Sequence, residues 1–199
     1  MQPWGDLLPR DHIIVMGQPG CGKSPFAAKL VRRARRVVFW DAGGSWEAEG
    51  EPATAADLVE FPELLAGKVC RLVVVPTASG DELADEFRQV VAACRSAAPL
   101  GGLVLVIDEV GDLRGAADEL NALHRNGHKA GIATVSCSPC CTDFPKRMRD
   151  TASRVFSFFQ KSADDVATLD REYGNNFGTK AAAWMHPAPP VAWKSPTLH

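Results

Sequence analysis

Two kinds of stretch alternate along this chain. Apolar runs at 13–16, 37–40, 71–76, 103–107, 131–137 and 154–159 are bounded by glycine, proline, aspartate or serine, the pattern of strands buried on both faces. Between them apolar residues recur at helical spacing: Phe26, Ala27, Leu30 and Val31, then Leu83, Phe87, Val90, Val91 and Cys94 within 80–98. Further helices are expected at 54–66 (one or two short ones), at 115–126, in a short basic segment at 145–150, and at 162–173, where Ser162 and Asp165 form a capping start. Strands alternating with helices predict an α/β fold, a three-layer α/β/α sandwich around a mostly parallel sheet. Residues 1–11, broken by Pro3, Gly5 and Pro9, read as a lead-in to one domain over 12–178. The tail, 179–199, reads as a hairpin or an arm packed on the domain edge: 181–185 and 191–194 flank a proline-rich turn.

The chemistry concentrates first between the opening strand and the first helix. Gly17-Gln18-Pro19-Gly20-Cys21-Gly22-Lys23-Ser24 fits G-x-x-x-x-G-K-[ST] in the strand–loop–helix context that the motif requires. Its glycines let the backbone wrap an anion, with successive N–H groups and the helix N-terminus aimed at it. Lys23 is placed to reach the β- and γ-phosphates of ATP, and the Ser24 hydroxyl to ligate Mg²⁺. Pro25 fits the first helical turn, where its missing N–H has no intrahelical partner.

A second concentration ends the run at 103–107, which terminates in Asp108-Glu109. Two acids at the tip of a central strand are costly to desolvate. They make sense if Asp108 supports the Mg²⁺ shell and Glu109 acts as the general base on the water attacking the γ-phosphate. Asp41, closing the run at 37–40, lies at the same ligand-binding edge of an open α/β sheet.

Composition changes this picture little. The formal net charge is -2 over 199 residues, which neither supports nor excludes nucleic acid; any contact with DNA must come from local patches or a ring of subunits. One patch is Arg32-Arg33-Ala34-Arg35-Arg36, which reads either as a solvated helix cap or as a phosphate-backbone contact. No apolar run approaches the roughly 18 residues of a membrane span, and the N-terminus lacks the pattern of a signal peptide, so a soluble intracellular protein is expected. Six cysteines read as free thiols. Cys137-x-x-Cys140-Cys141 lacks a second pair, and His124 and His128 would have to complete any zinc site.

The order of motifs resembles the HerA/FtsK branch of P-loop motor ATPases over about residues 12–173. The phosphate loop and Asp108-Glu109 are followed by Arg125-Asn126-Gly127-His128-Lys129-Ala130, a basic, glycine-containing lead-in to a strand ending Ser136-Cys137-Ser138-Pro139. A basic segment, Phe144-Pro145-Lys146-Arg147-Met148-Arg149-Asp150, then precedes Arg154-Val155. Small single-domain members include the genome-packaging ATPases of tectivirus-like, membrane-containing double-stranded DNA viruses. The resemblance implies an ATPase stimulated by double-stranded DNA, a homo-oligomeric ring, commonly a hexamer, capsid vertex partners, and a place in the host cytoplasm or on the virion. It also implies an arginine acting in a neighbour's site, for which Arg125, Arg149 and Arg154 are candidates. The sensor at the end of the strand after the acids is commonly Gln in the family; here Cys137 matches it, with Ser136 or Ser138 as substitutes. Three other readings fit parts of the sequence. They are a cellular or plasmid DNA motor of the same branch, a small P-loop kinase, and a nucleotide-gated scaffold without turnover.

Overall fold

The computed structural model describes residue 7, residues 10–185 and residues 188–194. Eight strands form one sheet: β1 (His12–Met16), β2 (Arg36–Trp40), β3 (Glu51–Ala53), β4 (Cys70–Val74), β5 (Leu103–Ile107), β6 (Ile132–Ser138), β7 (Arg154–Ser157) and β8 (Val191–Lys194). Their order is β3-β4-β2-β5-β6-β1-β7-β8, and every neighbouring pair is parallel except β7 and β8. Strands β1, β2, β5 and β6 are buried along their whole length, which is why they read as continuous apolar runs without alternation.

Burial on the two faces differs. Ile13 and Val15 of β1, with Val104, Val106, Val135 and Cys137, pack against α1 (Lys23–Val31) through Ala27, Leu30 and Val31. Among the described residues α1 is the helix that enters this cluster, joined by loop residue Trp46. Ile14, Met16, Val38 and Trp40 face the opposite layer. That layer holds α2 (Ala55–Glu60), α3 (Asp81–Ala97), α4 (Ala117–Ala130), α5 (Lys146–Thr151), α6 (Ala163–Tyr173) and α7 (Phe177–Ala182). Phe87 of α3 meets Trp40 edge to face at 5.2 Å, an arrangement aromatic quadrupoles favour.

Several boundaries differ from the sequence expectation, each for a physical reason. Strand β3 was not expected, because it is three residues long, exposed at Glu51 and Pro52, and interrupted by that proline; an edge position tolerates such a strand. The strand expected at 71–76 is β4 and stops at Val74. The helix expected at 115–126 starts as a 3₁₀ segment (Val110–Ala116) and continues as α4 to Ala130. Gly127 does not end it. A Cβ there would lie 3.0 Å from both the His12 ring and the Ile132 carbonyl, so this glycine serves close packing. Gly131, at φ 80, supplies the left-handed cap. The supposed lead-in at 125–130 is therefore the last turns of α4. Ser162 accepts the Asp165 N–H and caps α6 as expected.

In the tail, the limb expected at 181–185 is not a strand, because α7 runs to Ala182. Strand β8 pairs antiparallel with β7 and lays Trp193 against Tyr173, ring centroids 4.9 Å apart. His186 and Pro187 of the expected turn, and residues 1–6, 8 and 9 of the expected lead-in, lie outside the described residues.

Candidate active site

The parallel strands all end at one edge, and the sequence-singled residues gather there. Gly17 leaves β1 at φ 149, and Gly20 and Gly22 follow at 77 and 96, conformations that side-chain-bearing residues rarely adopt. Gly17 has a steric need as well: a Cβ would come within 2.6 Å of the Phe158 Cβ. Neighbouring strand ends pin the loop. The Gly17 N–H donates to the Ser138 carbonyl at 3.3 Å and the Gln18 N–H to the Phe159 carbonyl at 3.1 Å. Lys23 is buried, and its Nζ donates to the Gly17 carbonyl at 2.8 Å, which holds the ammonium over the loop. Ser24, half-buried, follows in the first turn of α1.

Register places the acids opposite this loop. Strand β6 lies between β1 and β5, with Val15 level with Cys137 and Ile107 level with Ser136. Asp108 follows Ile107 and so stands beside Cys137; alternation turns both toward the α1 layer. The Asp108 N–H donates to the Trp40 carbonyl at 3.0 Å. Its carboxylate accepts two bonds: from the Trp46 indole N–H to Oδ2 at 3.0 Å, and from the Glu109 N–H to Oδ1 at 3.1 Å. Burial pushes the Asp108 carboxyl up from its ordinary value, and burial together with the charge of Asp108 does the same to Glu109. Glu109 holds left-handed backbone angles, φ 49 and ψ 56, an uncommon state for a glutamate and one that clusters at functional sites.

Asp41 works one step back. Its carboxylate accepts the Ser45 N–H at 2.8 Å and the Trp46 N–H at 3.0 Å, folding the loop that brings Trp46 to Asp108. Trp46 is buried and stacks on Phe39 at 5.1 Å. Sequence reasoning noted Asp41 and missed Trp46. The signal present in the sequence was Asp41 followed by Gly43, Gly44 and Ser45, which marks a loop but not the direction of Trp46.

The other expected residues separate. Cys137 is wholly buried between β1 and β5, and burial, then the charge of Asp108, holds its thiol well above the ordinary value. Ser136 points to the opposite face, 3.4 Å from His124 Nε2, away from the phosphate loop. Ser138 Oγ donates to Asp143 at 2.7 Å. Arg149 is half-buried in a two-pronged pair with Glu172, 2.8 and 2.9 Å, and Nη1 also donates to the Phe144 carbonyl. Arg154 pairs with Asp11 at 3.1 Å at the far edge of the sheet. Arg125 is exposed on α4. All six cysteines are free thiols, and Cys137 and Cys141 belong to clusters on opposite faces of the sheet.

The donor set suits a nucleoside triphosphate with its metal. A glycine cradle at a helix N-terminus and one buried ammonium match phosphates. Asp41, Asp108 and Glu109 outnumber Lys23 in charge, and the desolvation of Asp108 and Glu109 leaves negative charge that suits a cation with oxygen ligands. No helix among the described residues is long and apolar enough to cross a membrane.

No family model and no curated protein sequence matches this chain. Among solved structures it is similar to the genome packaging NTPase B204 from Sulfolobus turreted icosahedral virus 2 in complex with ATP-gammaS. The TM-score is 0.68 at 18% identity, over 90% of each chain. VirB4 of Thermoanaerobacter pseudethanolicus gives 0.68 at 9% identity, over 94% of this chain and 89% of that one. EccC of Thermomonospora curvata gives 0.56 at 17%, over 94% of this chain but 36% of that one. At such identities the likeness is one of fold, and it closes the structural argument: this chain has the P-loop NTPase fold that the viral packaging NTPase and VirB4 share.

Proposed function

We propose that this protein is an ATP-hydrolysing motor that moves double-stranded DNA, its setting being the packaging of a viral genome into a preformed capsid. One observation carries the reading. The phosphate loop and the Asp108-Glu109 pair converge at one sheet edge, in a chain whose fold follows that of a genome packaging NTPase over nine-tenths of both.

In this reading residues 17–24 wrap the triphosphate and Lys23 leaves the Gly17 carbonyl to hold the β- and γ-phosphates. Ser24 and Asp108 would hold Mg²⁺, which when bound neutralises charge on the transferring phosphoryl group. Glu109 orients the attacking water and accepts its proton; its raised pKa strengthens it as a base. Trp46 fixes the rotamer of Asp108. The resemblance implies a sensor at Cys137, but a thiol is a weak hydrogen-bonding group, so in this reading reporting of the γ-phosphate passes to neighbouring groups such as Ser138 with Asp143. Subunits assemble in a ring, commonly a hexamer, and Arg125 is the favoured candidate to reach a neighbour's nucleotide. Arg149 and Arg154 are each committed to a carboxylate within the subunit.

The test is phosphate release from ATP with and without long double-stranded DNA, at low and moderate salt. DNA that raises turnover, with the gain fading as salt rises, supports a motor. Turnover indifferent to DNA at every salt overturns it in favour of phosphate transfer to a small acceptor.

A further inference from the structure

Charge is distributed unevenly between the two edges of the sheet. At the carboxyl edge, Asp41, Asp108 and Glu109 surround Lys23. At the amino edge, about 16 Å away along five-residue strands, a cleft of about 510 Å³ opens between the end of α1 and the starts of β4, β5 and β6. Arg33, Arg35, Arg36 and Lys68 line it, with an apolar floor that includes Val104 and Ala133, and no acidic side chain lines it among the described residues. Arg36 is spent on structure: its guanidinium donates to the carbonyls of Gly102, Leu65 and Ala97. Arg35 and Lys68 are exposed, as is Arg33, which also makes an interaction of its own within the chain.

The helix dipole accounts for cations at the end of α1. It does not account for Lys68, which comes from the lead-in to β4 and converges on the same cleft. The floor is the part of the sheet face that α1 leaves at its end, so the cations rim a concave surface. A net charge of -2 thus conceals one edge built for a metal–nucleotide and one that attracts a polyanion.

From this we infer that the amino-edge cleft is the surface on which the protein holds the phosphate backbone of double-stranded DNA, through Arg33, Arg35 and Lys68. The inference rests on the motor reading above. Contacts of this kind carry no base specificity, as a motor that must move any sequence requires. Placing DNA on the opposite edge from the acids keeps two polyanions apart, and α1, which joins the phosphate loop to Arg33 and Arg35, links the two sites by one rigid element.

The experiment measures binding of a labelled random-sequence DNA duplex to the full chain, with a non-hydrolysable ATP analogue, across roughly 50 to 200 mM salt. The triple variant Arg33→Ala/Arg35→Ala/Lys68→Ala is compared with Arg114→Ala/Arg147→Ala/Lys161→Ala, which removes equal charge from exposed positions elsewhere. Melting temperatures check folding, and Arg35→Glu alone is the back-up. The expected result is a loss of roughly tenfold in affinity and a drop of about 2 to 3 in the salt slope for the cleft triple, at about 0.9 per phosphate contact, with little change in the control. Equal effects of both triples, or none from the cleft triple while the native chain binds, overturn this surface and leave the motor reading intact. A native chain that binds no duplex at any salt overturns the motor reading itself.

Discussion

On one face of β1, β5 and β6, Lys23, Asp108 and Glu109 gather under the phosphate loop; on the other, His12, His124, Thr134 and Ser136 gather under α4. Both are polar clusters in the sheet core, and they meet burial differently. In the second, Thr134 Oγ1 lies 3.0 Å from His12 Nδ1 and 3.2 Å from His124 Nε2, and the two rings sit 5.1 Å apart. Burial holds both imidazoles below their ordinary pKa, His12 at about 4, so the cluster is neutral and bonded through one nitrogen of each ring, His12 Nε2 and His124 Nδ1 being left without a hydrogen-bond partner among the described residues. In the first, acids exceed cations and their protons are held too tightly. Neutral bonding is what a core requires; unbalanced charge costs stability and marks a site arranged for something outside the chain. Removing polar groups should therefore cost turnover on one face and stability on the other.

The largest effect expected is at Glu109. Glu109→Gln lowers ATP turnover by about 10² to 10⁴, while the melting temperature stays or rises. A variant that melted well below the native chain would contradict the comparison. His124→Ala does the reverse. It costs about 2 to 4 kcal/mol, read from denaturant midpoints, and leaves ATP affinity of the folded protein unchanged.

Acid separates the clusters by sign. The unfolded chain binds a proton at His12 near pH 6.5 and the folded chain only near 4. The stability from a neutral His12, about 3 kcal/mol for such a shift, is thus complete above 6.5 and lost as pH falls toward 4. Asp108 and Glu109 slope the other way, because the folded chain keeps their protons above the ordinary carboxylate values of 3.8 and 4.5. Their contribution falls as pH rises from those values toward the raised folded ones. Melting curves against pH for the native chain and Glu109→Gln separate these terms, since the variant lacks one of the falling components.

A smaller effect sharpens the role of Trp46. Trp46→Phe keeps a ring on Phe39 and removes the N–H that Asp108 accepts. Turnover falls about tenfold, from about 1 to 2 kcal/mol of charge-assisted hydrogen bond. The acid limb of the rate profile moves to higher pH, because that bond lowers the Asp108 pKa. An unmoved limb would reduce Trp46 to packing.

What the sequence disclosed follows the same division. The phosphate loop was legible because its glycines encode a local conformation, and Asp108-Glu109 because the pair terminates a continuous apolar run. Whatever depends on contacts across the fold was not. Trp46 lies 62 residues from Asp108, and Arg149 finds Glu172 23 residues away. Cys137 matches the sensor position in sequence with Ser136 as a substitute, and only alternation along β6 shows that Cys137 faces the acids while Ser136 faces His124. The strand order that inserts β6 between the loop strand and the acid strand leaves no trace in spacing, since it is set by crossovers through α3 and α4.

Glu109 as the base for ATP hydrolysis at this edge is the assignment on which the motor reading most directly depends. The decisive measurement is a single-turnover assay of bound ATP, native chain against Glu109→Gln, at concentrations high enough for subunits to assemble. The native chain should cleave its ATP and the variant should hold it intact with similar affinity. Cleavage at equal rates in both would contradict the assignment.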